Sequence, residues 1–190
     1  MTTKELSIKC DEYARKEIER YGLPTIRHYE LSMSAGIKLA SSLGADVELV
    51  KSGISLMDIK LGQCAKEGCQ AQHVEASFDY AKELLSEWNV DEETKEILLN
   101  CVSAHHAKIP YKTLEAEIVA NADCYRFLHP RGVMSFHATV VKRGNEHDAA
   151  LAAVKAKLEE KKNILSLDIA KKDLQKYYDM FEEILTVGLD

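Results

Sequence analysis

The stretch from Leu114 to Leu128 limits the fold more than any other part of the chain, because it is apolar nearly all round at helical spacing: Leu114, Ile118, Val119, Ala120, Ala122, Cys124, Tyr125, Phe127 and Leu128. A helix with no polar face is a buried helix. It nevertheless carries Asp123 on one face with Val119, Ala120 and Phe127, and an ionised carboxylate there requires a cation, a metal or several hydrogen-bond donors. A second acid is in the same position. Val47, Val50, Ile54 and Met57 form a helical stripe that draws Asp58 into the core with them.

The other segments also read as helices, with no convincing strand. Residues 3 to 21 form an amphipathic opener that ends at Tyr21-Gly22-Leu23-Pro24, and 26 to 43 form a second helix with His28 at its start. Gly44-Ala45-Asp46 stops that helix and caps the one that leads to Asp58. Residues 61 to 72 lack a steady period and contain two glycines, which predicts a loop over the site. A helix over 73 to 88 follows, with His73 at its edge, and Asn89-Val90-Asp91 caps another that runs to His105 and His106. Beyond Leu128, His129-Pro130-Arg131-Gly132 reads as a turn and 133 to 142 as a short helix. Asn145 with Asp148 gives a capping signal for a helix through Val154 and Leu158, in which Glu159-Glu160-Lys161-Lys162 is a solvated end. A last helix aligns Leu174, Tyr177, Tyr178, Phe181 and Leu185. The fold class is therefore all-α, a helical bundle expected to form one domain over 1–190, with the motif-bearing core at about 26–128 and supporting helices at about 133–187.

Composition agrees and narrows the partners. With 46% hydrophobic residues, nine Gly and three Pro in 190 residues, the chain can bury a core between long helices and short connections. A formal charge of −6 argues against a nucleic-acid polymer or an acidic membrane surface as partner, but leaves room for a small phosphorylated molecule in a local positive pocket. No apolar run is long enough to span a bilayer, and Met-Thr-Thr-Lys-Glu-Leu has no apolar signal core, so a cytoplasmic location is expected. The five cysteines, Cys10, Cys64, Cys69, Cys101 and Cys124, lack paired metal spacing and read as reduced thiols, mostly buried. The oligomeric state, including a homo-oligomer, is left open.

Taken in order, His28, Met57-Asp58, His73, His105-His106 and Asp123 resemble the motif series of the HD domain superfamily of metal-dependent phosphohydrolases, His, His-Asp, Asp along a bundle of helices with extra histidines before the last Asp. The wording around them is similar too: Arg27-His28 opening a helix, Leu56-Met57-Asp58-Ile59 ending one, Gln72-His73-Val74-Glu75 starting one, Ala104-His105-His106, and Asn121-Ala122-Asp123. The resemblance implies a divalent metal ion (Mn, Fe, Mg, Zn or Ni) held among His28, Asp58, His73, His105, His106 and Asp123. It also implies hydrolysis of a phosphate ester of a nucleotide or another small phosphorylated metabolite. Asp58 would bridge metals or take a proton from the attacking water, and Lys60 would contact the substrate phosphate, with Lys108 and Arg126 behind it. The implied enzyme class is phosphoric ester hydrolase.

One position departs from that pattern. Met57 stands where the family has the histidine of its His-Asp dyad, and a thioether is a poor ligand for Mg²⁺, Mn²⁺ or Fe²⁺. The set around Asp58, His73, His105 and His106 would remain intact, while His28, Asp58 and Asp123 form a thinner one. Alternatively, Met57 only completes the apolar stripe and the cavity is a metal-poor binding pocket. In a third reading, the acids and histidines form a hydrogen-bonded network in the core of a regulatory domain.

Overall fold

The computed structural model describes residues 1–186 and contains ten α-helices among them. They are α1 (Thr3–Tyr21), α2 (Ile26–Leu43), α3 (Val47–Met57), α4 (Leu61–Glu67), α5 (His73–Glu87), α6 (Glu92–Ala104), α7 (Leu114–Leu128), α8 (Pro130–Lys142), α9 (His147–Ile164) and α10 (Asp168–Thr186), with one 3-10 turn at Gln70–Gln72.

The helix starts follow the capping chemistry of the sequence. Thr2 and Glu5 form a capping box on α1, Thr25 accepts from the His28 amide, Asp46 from Glu48 and Leu49, Asp91 from Thr94, and Thr113 from Ala116. α7 is the axis of the bundle: every residue from Ile118 to Leu128 is buried, and the helix packs against α2, α3, α6, α8, α9 and α10. α3 is nearly as enclosed. Its Val50, Ile54 and Met57 join the core around α7, and Leu49 and Leu56 join a second cluster under α1, α5 and α6. A Cβ on Gly53 would stand 2.9 Å from both Cys101 Cβ and Val119 Cγ2, so only glycine lets α3 approach α6 and α7 this closely. That approach carries Asp58 to the face of α7 that presents Asp123.

Three expectations need correction. Residues 61–67 are helical, because Leu61, Gly62 and Cys64 turn inward and a seven-residue helix shows too few turns for a period to be read. α8 begins at Pro130, a residue whose fixed φ and missing N–H suit a first helical turn, with His129 as the cap. α9 is capped at Glu146 with no side-chain cap bond, and Asn145 donates instead to the Val140 carbonyl. No described helix is long and apolar enough to cross a membrane.

Candidate metal centre

Asp58 follows the last residue of α3, in a turn where its carbonyl accepts the Leu61 amide and the Lys60 amide donates to Ser77. His73 opens α5, and His105 and His106 follow the last residue of α6. Ala107 then takes a left-handed φ of 54°, which turns the chain away after the histidine pair. Buried Asn100 holds that turn in place: its side-chain oxygen accepts the Lys112 amide at 2.8 Å and its nitrogen donates to the Pro110 carbonyl at 3.2 Å.

The three histidines converge, each offering a ring nitrogen within 4.8 Å of the others. His73 Nδ1 lies 2.8 Å from the Gln70 carbonyl, and His105 Nδ1 lies close to the Val102 carbonyl at 2.6 Å. A carbonyl only accepts, so both Nδ1 atoms carry a proton, and in the neutral ring Nε2 is the nitrogen that presents a lone pair. Those Nε2 atoms stand 3.3 and 3.6 Å from Asp58 Oδ1, and neither contact has hydrogen-bond geometry. Asp58 Oδ1 and His105 Nε2 are both buried without a hydrogen-bond partner among the described residues. Orphaned acceptors turned toward one another suit a divalent cation, so the three histidines fit one, with Asp58 Oδ1 beside His73 and His105 as a further donor. Burial, reinforced by His105 and Lys161, lowers His106 to about 3, leaving its imidazole neutral and ready to ligate. Burial opposes protonation of His73 as well, yet its contact with Asp58 raises its pKa. A shared proton and a metal are alternatives for the same position.

The opposite side of Asp58 is occupied by fixed cations. Arg126 Nη1 donates to Asp58 Oδ2 in a very short contact and to Asp123 Oδ1 at 2.8 Å, while Lys161 Nζ donates to Asp123 Oδ2 at 2.6 Å. Arg126, Lys161 and Asp123 are 3%, 1% and 2% exposed, so these charges exist only as a matched set. Burial works against both carboxylates, but Arg126 and the histidines hold Asp58 well below its ordinary range, and Lys161 and Arg126 do the same for Asp123.

His28 lines the same pocket, but its Nε2 donates to the Gly132 carbonyl at 2.9 Å and its ring packs on Phe127 and Phe136. Gly132 is required for this: a Cβ there would come within 2.3 Å of the Arg126 carbonyl. Met57 points into the core and belongs to the apolar cluster around α7.

The three expected phosphate contacts divide. Arg126 lies at the centre, but Lys60 does not: its ammonium pairs with Glu17 at 3.3 Å and sits 3.5 Å over the Tyr80 ring, because the turn after α3 aims it at α1. Lys108 lies in a separate groove between α5 and α6. Lys60→Ala is therefore expected to leave any turnover within about twofold of the parent and to cost about 1 kcal/mol in a urea melt, the scale of a partly exposed ion pair. A tenfold loss of kcat/KM would return Lys60 to the site.

Lys161 is the residue the sequence reading missed, taken there as part of a solvated helix end. The signal was available, since Lys161 continues the stripe Val154, Leu158 at helical spacing. The last third of the chain is therefore part of the site: α9 supplies Lys161 and Lys157, and α8 supplies Phe136 and Thr139. Buried Asn121 fixes their frame by accepting the Ser166 and Leu167 amides, both at 3.1 Å, at the α9 to α10 junction. His129 and His137 are half-buried, His147 is exposed, and all three lie outside the pocket.

The pocket over these groups measures about 100 Å³ and is rimmed by Thr25, Thr139, Arg143 and Lys157. Through Leu23, Thr25, Thr139 and Arg143 it opens onto a broader groove of about 1070 Å³ that holds Arg27, Arg131, Lys142 and Arg143 and no acid.

No protein-family model matches the chain. A ribonuclease Y from Finegoldia magna is 33% identical over 111 residues, covering 58% of this chain and 20% of that protein. One from Treponema denticola is 32% identical over 124 residues, 65% of this chain and 22% of that protein. The chain thus matches about a fifth of the length of these curated relatives. Among solved structures, an HD-superfamily hydrolase from Bacillus thuringiensis superposes with a TM-score of 0.68 at 18% identity, over 97% of this chain and 95% of that one. A protein described as a predicted HD superfamily hydrolase, from an uncultured Thermotogales bacterium, gives 0.62 at 18% identity, over 94% and 88%. The helices of this chain therefore follow a known path, and its fold is the HD-domain fold of those hydrolases.

Proposed function

We propose that this chain is a metal-dependent phosphohydrolase acting on a nucleotide or another small phosphorylated metabolite. The observation that carries this reading is the convergence of ring nitrogens of His73, His105 and His106 beside Asp58, whose Oδ1, like His105 Nε2, is buried without a hydrogen-bond partner, next to a cation-rimmed pocket. A divalent metal held there supplies a Lewis acid and lowers the pKa of its bound water.

The protein's own groups do the rest. Gln70 and Val102 fix the ring orientation of His73 and His105 through their Nδ1 protons. Lys157 and Arg143 neutralise the phosphoryl oxygens at the rim, and Phe127 and Phe136 exclude water on the far wall. A pocket of about 100 Å³ accommodates a phosphoryl group and not a whole nucleotide, so the remainder of the substrate lies in the acid-free groove. The curated relatives are ribonucleases by name, which is phosphodiester chemistry, and this supports the reaction class. The cysteines among the described residues are all free, which suits a reducing compartment, and the cytoplasm is the proposed location.

Met57 in the core and Arg126 between the two acids favour a second reading, a degenerate HD domain that binds a phosphorylated ligand without cleaving it. One experiment separates the two. Protein loaded with Mn²⁺ is analysed for metal and screened on phosphomonoesters and phosphodiesters, beside Asp58→Ala. Bound metal and turnover, both lost in Asp58→Ala with turnover down by about 10³-fold or more, support the hydrolase. Metal or phosphate binding with no turnover supports the binder.

A further inference from the structure

The two sides of Asp58 are built differently. Oδ1 faces the imidazoles of His73 and His105, 3.3 and 3.6 Å from their Nε2 atoms, and has no hydrogen bond, while Oδ2 is taken by Arg126. Asp123 has no free oxygen, since Arg126 holds Oδ1 and Lys161 holds Oδ2. Two carboxylates against a guanidinium and an ammonium balance to zero in a place where all four groups are nearly sealed from water. A divalent ion added between Asp58 and Asp123 would have to displace one buried cation or sit beside both. Met57 brings no ligand to that side, and His28 has already committed its Nε2 to Gly132.

We propose that Arg126 and Lys161 are built-in cations that take the place of one metal, so that the centre binds a single divalent ion on Asp58 Oδ1, His73, His105 and His106. Arg126 would then hold Asp58 in the orientation the metal requires, acting as a positioning residue, and Lys161 would hold Asp123. The inference rests on the metal-centre reading of the proposed function and goes beyond it in the number of ions and in what replaces the missing one.

The test is metal stoichiometry, with Mn²⁺ as the probe. The parent, His105→Ala, Asp123→Asn and the double variant Arg126→Gln/Lys161→Gln are saturated with Mn²⁺, dialysed and read by elemental analysis, with the electron paramagnetic resonance spectrum recorded on each. The expected result is one equivalent with an uncoupled Mn²⁺ signal in the parent, retained in Asp123→Asn and lost in His105→Ala. The double variant, with its carboxylates freed, takes up a second equivalent and shows a spin-coupled pair. Two equivalents in the parent overturn the internal-cation proposal while leaving the metal-centre reading intact. No metal in the parent overturns both. A single equivalent that survives His105→Ala but not Asp123→Asn places the ion on the wrong side and also overturns the proposal. If the double variant does not fold, the parent and its single variants still decide the matter.

Discussion

Arg126→Met is expected to cost about 3–5 kcal/mol of unfolding free energy in metal-free protein near neutral pH, because it strands two buried carboxylates beside a single remaining ammonium. Arg126 is 3% exposed and both acids are no more accessible than 5%, so water cannot take over from the guanidinium. Urea denaturation followed by far-ultraviolet circular dichroism measures the loss. A double-mutant cycle assigns it: in an Asp58→Asn background the same substitution should cost at least 1 kcal/mol less, the coupling expected of groups in direct contact. A cost below about 1 kcal/mol in the parent background would mean that the guanidinium contributes no more than an exposed ion pair, and would remove the structural ground for an internal cation.

That ion network also shows where sequence reasoning reached and where it stopped. Asp58 and Asp123 were legible as buried acids because Asp123 sits inside an apolar helix and Asp58 directly follows one whose stripe leads into the core, and the histidines were legible through their order along the chain. What could not be read was which cation answers each acid. Arg126 is one turn along the same helix as Asp123, but its reach to Asp58 depends on the crossing of α3 over α7, a distance set by Gly53 and its neighbours. Lys161 lies 38 residues from Asp123 and inside a run of charges, where local composition points to solvent and only the stripe from Val154 points inward. Lys60 failed for the converse reason: adjacency to Asp58 in sequence placed it on the opposite side of a tight turn, against Glu17. The caps at Asp46 and Asp91 depend on residues two or three apart and were legible, whereas the starts of α8 and α9 were not, and α4 was too short to show a period.

His28 should give the molecule a loss of stability on mild acidification that is separate from the metal centre. Burial, with Arg126 nearby, lowers its folded pKa to about 4, against an unfolded value of about 6.5. The folded state therefore holds the neutral ring while the unfolded chain binds a proton, so stability rises with pH between those values and is lost as pH falls from 6.5 toward 4. The full span of about 2.5 units at about 1.4 kcal/mol per unit gives about 3 kcal/mol. Other groups titrate nearby: His106 loses stability in the same direction, His73 in the opposite one, and the two depressed carboxylates only below the ordinary range of an aspartate. The quantity to measure is thus the difference between the parent and His28→Asn, in which those contributions cancel. In chelator, with urea midpoints taken from pH 7.5 to 4, the parent's advantage over His28→Asn should shrink by about 3 kcal/mol. Parallel curves would mean that the ring accepts a proton in place, with the Gly132 carbonyl and a second acceptor stabilising the imidazolium. His28 would then be one more cation beside Arg126 and Lys161, in place of the neutral wall that its packing against Phe127 and Phe136 describes.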